Sequence, residues 1–124
     1  MARIMVIEDD EVLRPLLVDL LAAQGHLARS AANGSDGLDK IHEWLPDLVI
    51  TDIYMPGRDG IEVIMHLRQT LPEIKIIALS GEQLGPFFST LHVARQLGAD
   101  GVLEKPFQPM ALFALIDQLL DAST

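Results

Sequence analysis

Five short apolar segments alternate with five stretches of helical periodicity, and this alternation constrains the fold more than any other feature of the sequence. The segments are Ile4–Ile7, Leu27–Ser30, Leu48–Thr51, Ile74–Leu79 and Gly101–Leu103. Three of them are rich in Ile, Val and Leu without polar alternation, which is typical of parallel strands buried on both faces. Alternating strands and helices predict an α/β fold, a doubly wound parallel sheet with helices on both faces.

Each helical stretch carries an apolar stripe and ends near Gly or Pro. The stripes are Val12, Leu13, Leu16, Leu17, Leu20 and Leu21; Leu38, Ile41, Trp44 and Leu45; Ile61, Ile64, Met65 and Leu67 or Arg68; Phe88, Leu91, Ala94 and Leu97; and Leu112, Phe113, Ile116, Leu119 and Leu120. Gly25, Pro46, Pro72 and Gly98 are the expected stops, and Pro109 opens the last helix. Pro15 is compatible with the first helix only within its first turn. Five strands with right-handed crossovers favour the flavodoxin-like order 2-1-3-4-5.

Length and composition exclude several classes of protein. The 124 residues are expected to form a single domain over 1–124, and no apolar run approaches the roughly 18 residues that span a bilayer. The chain has no cysteine, which rules out disulfides and thiol catalysis and fits a cytoplasmic protein. A net charge of −9 argues against direct binding to nucleic acid.

Polar residues collect where the predicted strands end. Glu8, Asp9 and Asp10 follow the first strand, Asp52 the third, Ser80 the fourth, and Glu104 and Lys105 the fifth. Functional residues of open parallel sheets lie at the carboxyl ends of the strands, so we expect these groups to meet at one rim. Asp10 or Glu11 is expected to cap the first helix instead.

This inventory suits phosphoryl transfer. Carboxylates close together repel each other unless a cation compensates them, and Mg²⁺ prefers such oxygen ligands and completes its shell with phosphate oxygens. Lys105 offers a second positive charge, and the Ser80 hydroxyl can donate a hydrogen bond to a phosphoryl oxygen. Asp52 would then be the nucleophile that forms an acyl phosphate.

Four motifs make the family resemblance plain. "MVIEDDE", "DIYMPGRDG", "ALSG" and "GADGVLEKPF" resemble, in order, the signatures of the receiver domain of bacterial two-component response regulators. The resemblance covers essentially the full chain. It implies that Asp52 is the phosphoacceptor, Ser80 the switch hydroxyl and Lys105 the family's lysine.

The resemblance also implies a set of Mg²⁺ ligands and partners. The ion would be held by Asp9, Asp52 and the backbone carbonyl of Tyr54, with Glu8 reaching it through water. The phosphodonor would be a sensor histidine kinase or a phosphotransfer protein. A downstream protein would bind the face formed by helix four, strand five and helix five, and apolar residues there are candidates for a homodimer interface or for the core.

The same resemblance implies a signalling domain, not an enzyme acting on other substrates: the domain would catalyse only its own phosphorylation and dephosphorylation. No output domain is expected within the 124 residues. In the family, the bond between the lysine and the following proline, here Pro106, is often cis, although only about one X-Pro bond in twenty is cis in folded proteins.

The sequence departs from the receiver pattern at three places. Val102 stands where receivers usually carry a Tyr or Phe that turns inward, and valine has a stiff χ1 and no ring. The loop after Ser80 is longer than usual and contains Phe87 and Phe88, one of which is expected to cap the site, dock a partner or simply pack. Tyr54 stands at the mouth of the site, where it is expected to slow hydrolysis of the phosphate.

Two alternative functions follow from these departures and from the site inventory. One is a constitutive protein-interaction scaffold with the receiver fold and no phosphorylation switch, which Val102 and the altered loop favour. The other is a Mg²⁺-dependent phosphatase of the aspartyl-phosphate type, although Tyr54 replaces the second acid that such enzymes use. The histidines, His26, His42, His66 and His92, show no metal-ligand spacing and are interpreted as surface or helix-face residues.

Overall fold

A five-stranded parallel sheet forms the centre of the protein. The computed structural model describes residues 1–53, 60–81 and 95–121. The strands are β1 (Arg3–Ile7), β2 (Leu27–Ala31), β3 (Leu48–Asp52), β4 (Lys75–Ser80) and β5 (Gly101–Glu104). They pair in parallel in the order β2-β1-β3-β4-β5, so the predicted fold class and strand order are confirmed.

Five helical segments lie within the described residues. They are α1 (Leu13–Ala23), α2 (Gly34–Trp44), α3 (Gly60–Thr70), a short segment at 95–97 that we label α4, and α5 (Pro109–Asp121). Pro15 lies in the first turn of α1, as its missing N–H requires. Gly25 and Gly98 follow α1 and α4 with φ of 88° and 111°, left-handed values that favour glycine at helix ends.

The sheet buries both of its faces, which explains why its central strands lack polar alternation. Successive residues of β1 point to opposite faces: Met5 and Ile7 pack against α2 and α3, whereas Ile4 and Val6 pack against α1 and α5. None of the helices within the described ranges is long and apolar enough to cross a membrane.

The predicted apolar stripe of α1 is wider than the contact of the helix with the sheet. Leu17 and Leu21 are buried, whereas Val12 is 76% and Leu16 49% exposed. A helix meets a sheet along one line, and two adjacent columns of apolar residues cannot both lie on it. Leu13, Leu16 and Leu20 line a shallow cavity together with Phe107.

Four of the five strands, β2 to β5, run one residue further towards their carboxyl ends than predicted, whereas β1 ends at Ile7 as predicted. Asp52 and Ser80 are the last residues of β3 and β4, and both are buried. The predicted start of the fourth helix, at Phe88, lies outside the described residues, as do Tyr54 and Phe87.

Candidate functional site

The carboxyl ends of β1, β3, β4 and β5 bring five of the predicted site residues to one rim, namely Glu8, Asp9, Asp52, Ser80 and Lys105. Asp52 lies opposite Leu79 in the β3–β4 ladder, and Ser80 lies opposite Glu104 in the β4–β5 ladder. The N–H of Lys105 donates to the carbonyl of Ser80 at 2.7 Å, so the backbone of Lys105 lies beside the end of β4. The register of the sheet therefore sets the spacing of these groups.

Lys105 joins two carboxylates that lie far apart in the sequence. Its Nζ donates to Oε1 of Glu8 and, at 3.0 Å, to Oδ2 of Asp52. The peptide bond between Lys105 and Pro106 is cis. One ammonium thus serves two acids, and we call Glu8, Asp52 and Lys105 the rim network.

The rim network combines two carboxylates with one ammonium in a largely buried position, so its charges do not balance. Glu8 is fully buried, and its Oε2 has no hydrogen-bond partner among the described residues. Burial raises the pKa of Glu8 to about 7, the hydrogen bond from Lys105 opposes the rise, and the nearby charge of Asp52 adds to it. Burial by itself would lower the pKa of Lys105, but the hydrogen bonds to Glu8 and Asp52 outweigh it and raise that pKa.

Three carboxylates at the rim are close enough to share one cation. Glu8, Asp9 and Asp52 each offer an oxygen, and these oxygens lie within 4.8 Å of one another. Hard oxygen donors in this number suit Mg²⁺, which keeps several waters. The remaining predicted ligand, the carbonyl of Tyr54, lies outside the described residues.

The loop from β1 to α1 is held by its own side chains. Oδ1 of Asp10 accepts from the N–H groups of Val12 and Leu13 at 2.8 and 2.9 Å and so satisfies two backbone donors where α1 begins, although the N-cap position itself is Val12 and not Asp10 or Glu11. These hydrogen bonds from Leu13 and Val12 lower the pKa of Asp10.

Arg14 supports the rim and was missed by the sequence reasoning. Its guanidinium donates to the carbonyl of Glu8 at 3.0 Å and to the carboxylate of Glu11 at 2.6 Å. The opposite charges of Glu11 and Arg14, three residues apart, were the only sequence signal for this contact.

Gly60 packs directly against the backbone of the central strand end. A β-carbon at this position would lie 1.9 Å from the carbonyl oxygen of Asp52, and the Gly60 N–H donates to the carbonyl of Ile53 at 3.0 Å. Gly60 is the last residue of the "DIYMPGRDG" motif and the first residue of α3. The close approach to Asp52 favours glycine at this position.

Val102 and the histidines are the other residues that the sequence analysis singled out. Val102 is half-buried and packs against the core on the α2–α3 side of the sheet. His26 accepts from the Ala2 N–H at 3.2 Å, and His92 lies outside the described residues. His42 and His66, which sequence spacing does not connect, lie in contact between α2 and α3.

Comparison with known proteins agrees with this geometry. Residues 4–117 match the response regulator receiver domain family. The transcriptional regulatory protein AfsQ1 of Streptomyces coelicolor is 37% identical over 122 residues, which are 97% of this chain and 52% of that protein. The chain thus spans about half the length of AfsQ1.

Two further relatives resemble this chain over nearly their whole length. The chemotaxis protein CheY of Halobacterium salinarum is 32% identical over 97% of this chain and 98% of its own. A response regulator receiver domain protein from Clostridium thermocellum has a crystal structure with a TM-score of 0.89 and 26% identity, over 98% of this chain and 96% of that one. The chain therefore belongs to the response regulator receiver domain family, the signalling domains of two-component systems.

Proposed function

We propose that Asp52 is the phosphoacceptor of a Mg²⁺-dependent phosphorylation switch. The observation that carries this proposal is the position of its carboxylate, which lies 3.0 Å from the Lys105 ammonium and close to the carboxylates of Glu8 and Asp9. Glu8 is fully enclosed, whereas Asp52 keeps 6% of its surface exposed at the rim. Among the two acids that contact Lys105, Asp52 is thus the one that a phosphodonor can reach.

The donor is a phosphohistidine of a sensor histidine kinase or a phosphotransfer protein in the cytoplasm. A carboxylate oxygen of Asp52 attacks the phosphorus, the new O–P bond forms, and the N–P bond breaks. The leaving imidazole nitrogen keeps the electron pair and takes up a proton from solvent. Lys105 holds positive charge beside the transferring phosphoryl oxygens, which is where phosphoryl transfer needs it.

The donor set fits Mg²⁺, because three carboxylate oxygens converge and Oε2 of Glu8 has no protein partner among the described residues. Asp9, Asp52 and the Tyr54 carbonyl would hold the ion, and Glu8 would reach it through water. When bound, Mg²⁺ neutralises charge on the carboxylates and on the phosphoryl oxygens.

Phosphorylation would act as a switch through Ser80 and Lys105. A phosphoryl group brings nearly two negative charges, which attract the lysine and the Ser80 hydroxyl. Because the Ser80 carbonyl accepts from the Lys105 N–H, movement at one residue is coupled to the other. The responding surface is the face of α4, β5 and α5, where a downstream protein or a second copy of the chain binds.

The test is incubation with Mg²⁺ and acetyl phosphate, followed by intact mass measurement. Wild type and D19N, which removes an exposed carboxylate of α1, are expected to gain one phosphoryl group, and D52N is expected to gain none. An adduct of equal yield on D52N would overturn the assignment of Asp52.

The same experiment separates the switch from the alternative of a constitutive scaffold. The scaffold is favoured by Val102, which lacks the aromatic ring that receivers usually carry at this position and is half-buried against the core. A wild type that forms no adduct, and whose melting temperature does not respond to Mg²⁺, would support the scaffold and contradict the switch.

A further inference from the structure

His42 on α2 and His66 on α3 contact each other through their imidazole rings. Their Nε2 atoms lie 3.0 Å apart, and the two rings meet edge to face at an interplanar angle of 89°. His42 is exposed and His66 half-buried, so the pair opens to solvent. In the metal-free protein, one Nε2–H donates to the other Nε2, which requires at least one neutral ring.

Both helices hold their histidine in place through a buried neighbour. Ile41 precedes His42 and Leu67 follows His66, and both are fully buried in the core on the α2–α3 side of the sheet. The backbones that carry the two imidazoles are therefore fixed by packing. The two backbones are arranged in advance of any ligand, so only the imidazole rings must turn, which limits the entropy that a ligand would have to overcome.

We propose that His42 and His66 form a binding site for a divalent transition-metal ion such as Zn²⁺ or Ni²⁺. Two imidazole nitrogens bound about 2.0–2.1 Å from one ion, at adjacent positions of a tetrahedral or octahedral shell, lie about 2.9–3.4 Å apart. The observed Nε2 separation of 3.0 Å falls in this range. Binding needs the proton between the rings to move to Nδ1 and each imidazole to turn about its side-chain torsions, so that the two Nε2 lone pairs converge on the ion instead of facing each other.

The charge around the pair favours a cation. Asp39 lies three residues before His42 on α2, a spacing that places the two side chains on one helix face. Its exposed carboxylate adds negative charge to that face, in a chain whose net charge is −9. Water completes the shell of an ion held by two protein ligands at a solvent-exposed position.

The site is chemically distinct from the rim. Imidazole suits Zn²⁺, Ni²⁺ and Cu²⁺, whereas carboxylate, carbonyl and water suit Mg²⁺. The two sites are therefore expected to bind different ions. Mg²⁺ would bind at Glu8, Asp9 and Asp52, and a transition metal at His42 and His66. This difference makes the proposal separable from the phosphorylation switch.

The experiment titrates Zn²⁺ into the full chain in saturating Mg²⁺ and records the histidine ring C–H signals by NMR. The signals of His42 and His66 are expected to move together, while that of His26 stays in place. D52N should show the same pair of shifts, because Asp52 belongs to the other site. Ring signals of His42 and His66 that do not move would overturn the proposal.

A second readout is the melting temperature. At a Zn²⁺ concentration ten times the Kd, binding to the folded state is expected to raise Tm by about 5 °C. H42Q and H66Q should each lose this shift, and H26Q, the matched control, should keep it. An equal Tm shift in all four proteins would place Zn²⁺ elsewhere and contradict the site, as would no shift in wild type.

Discussion

Two ion-pair networks lie at opposite edges of the same sheet, and they are built differently. At the carboxyl edge, the rim network gives one lysine to Glu8 and Asp52 and leaves Oε2 of Glu8 without a partner among the described residues. At the amino edge, Arg68 of α3 pairs with Asp100 at 2.5 Å, and we call this pair the Arg68 clamp. Its guanidinium also donates to the carbonyls of Pro72, Ile74 and Gly98.

Positive and negative charges balance in the Arg68 clamp but not in the rim network. In the clamp, one cation meets one anion, and Oδ2 of Asp100 also accepts from the Ile76 N–H at 2.8 Å. At the rim, three carboxylates lie close together, and the one ammonium pairs with two of them. Satisfied groups stabilise a fold, whereas an excess of buried negative charge costs free energy until a cation arrives. The difference separates a structural junction from a binding site.

The largest effect is expected from breaking the clamp. R68M should lower the free energy of unfolding by about 3 kcal/mol, because it leaves the Asp100 carboxylate and several carbonyls without their donor. R68K should lose most of this stability as well, since an ammonium cannot reach acceptors in so many directions. Urea denaturation measures both.

R95M is the matched control for the clamp, because Arg95 is an exposed arginine of α4. It should stay within about 0.5 kcal/mol of wild type. Equal losses in R68M and R95M would show that the clamp has no special role in stability.

The rim network should instead make the free energy of unfolding depend on pH. The pKa of Glu8, about 7, lies above its ordinary value of 4.5, so its protonated form stabilises the fold. This contribution is complete below the unfolded pKa and is lost as pH rises through the folded pKa. In metal-free buffer, wild type should therefore lose about 2–3 kcal/mol relative to E8Q between pH 5 and pH 8.

Urea midpoints of wild type and E8Q at the two pH values test this expectation. E11Q serves as the control, because Glu11 is an exposed acid of the same loop. A difference between wild type and E8Q that does not change with pH would contradict the raised pKa.

The sequence predicted the rim better than the clamp, and the reason is topological. Parallel strands end at one edge, so residues such as Asp52, Ser80 and Lys105 can be brought together from strand ends alone. The Ile, Val and Leu runs located the strands, and right-handed crossovers between five strands favoured their order. Arg68, by contrast, was read as one position in a helical stripe, because its partners lie in loops whose path no periodicity reveals.

Side-chain contacts between helices were equally hidden. His42 and His66 are separated by a whole strand, and only the packing of α2 beside α3 brings them together. The close approach of Gly60 to the Asp52 carbonyl was also hidden, because it depends on how α3 packs against the end of β3. Spacing rules find residues within one element, whereas these contacts depend on tertiary packing.

A cation should stabilise the rim and leave the clamp unaffected. Excess Mg²⁺ at ten times its Kd should raise Tm by about 5 °C in wild type and by the same amount in R68M. D9N should lose most of the shift, because it removes one of the three converging carboxylates. A shift of equal size in D9N would mean that Mg²⁺ stabilises the protein at another place.

The smallest expected change in stability is that of D52N, and it tests the charge balance of the rim network most specifically. D52N removes one of the carboxylates around Lys105 but keeps an oxygen that can accept its hydrogen bond, so it relieves repulsion with Glu8 at little cost. In metal-free buffer at pH 8, D52N should be about 1 kcal/mol more stable than wild type. Mg²⁺ should reverse the order, because only wild type keeps all three ligands. A D52N protein less stable than wild type without metal would mean that the rim is balanced like the clamp, and that its charges support the fold.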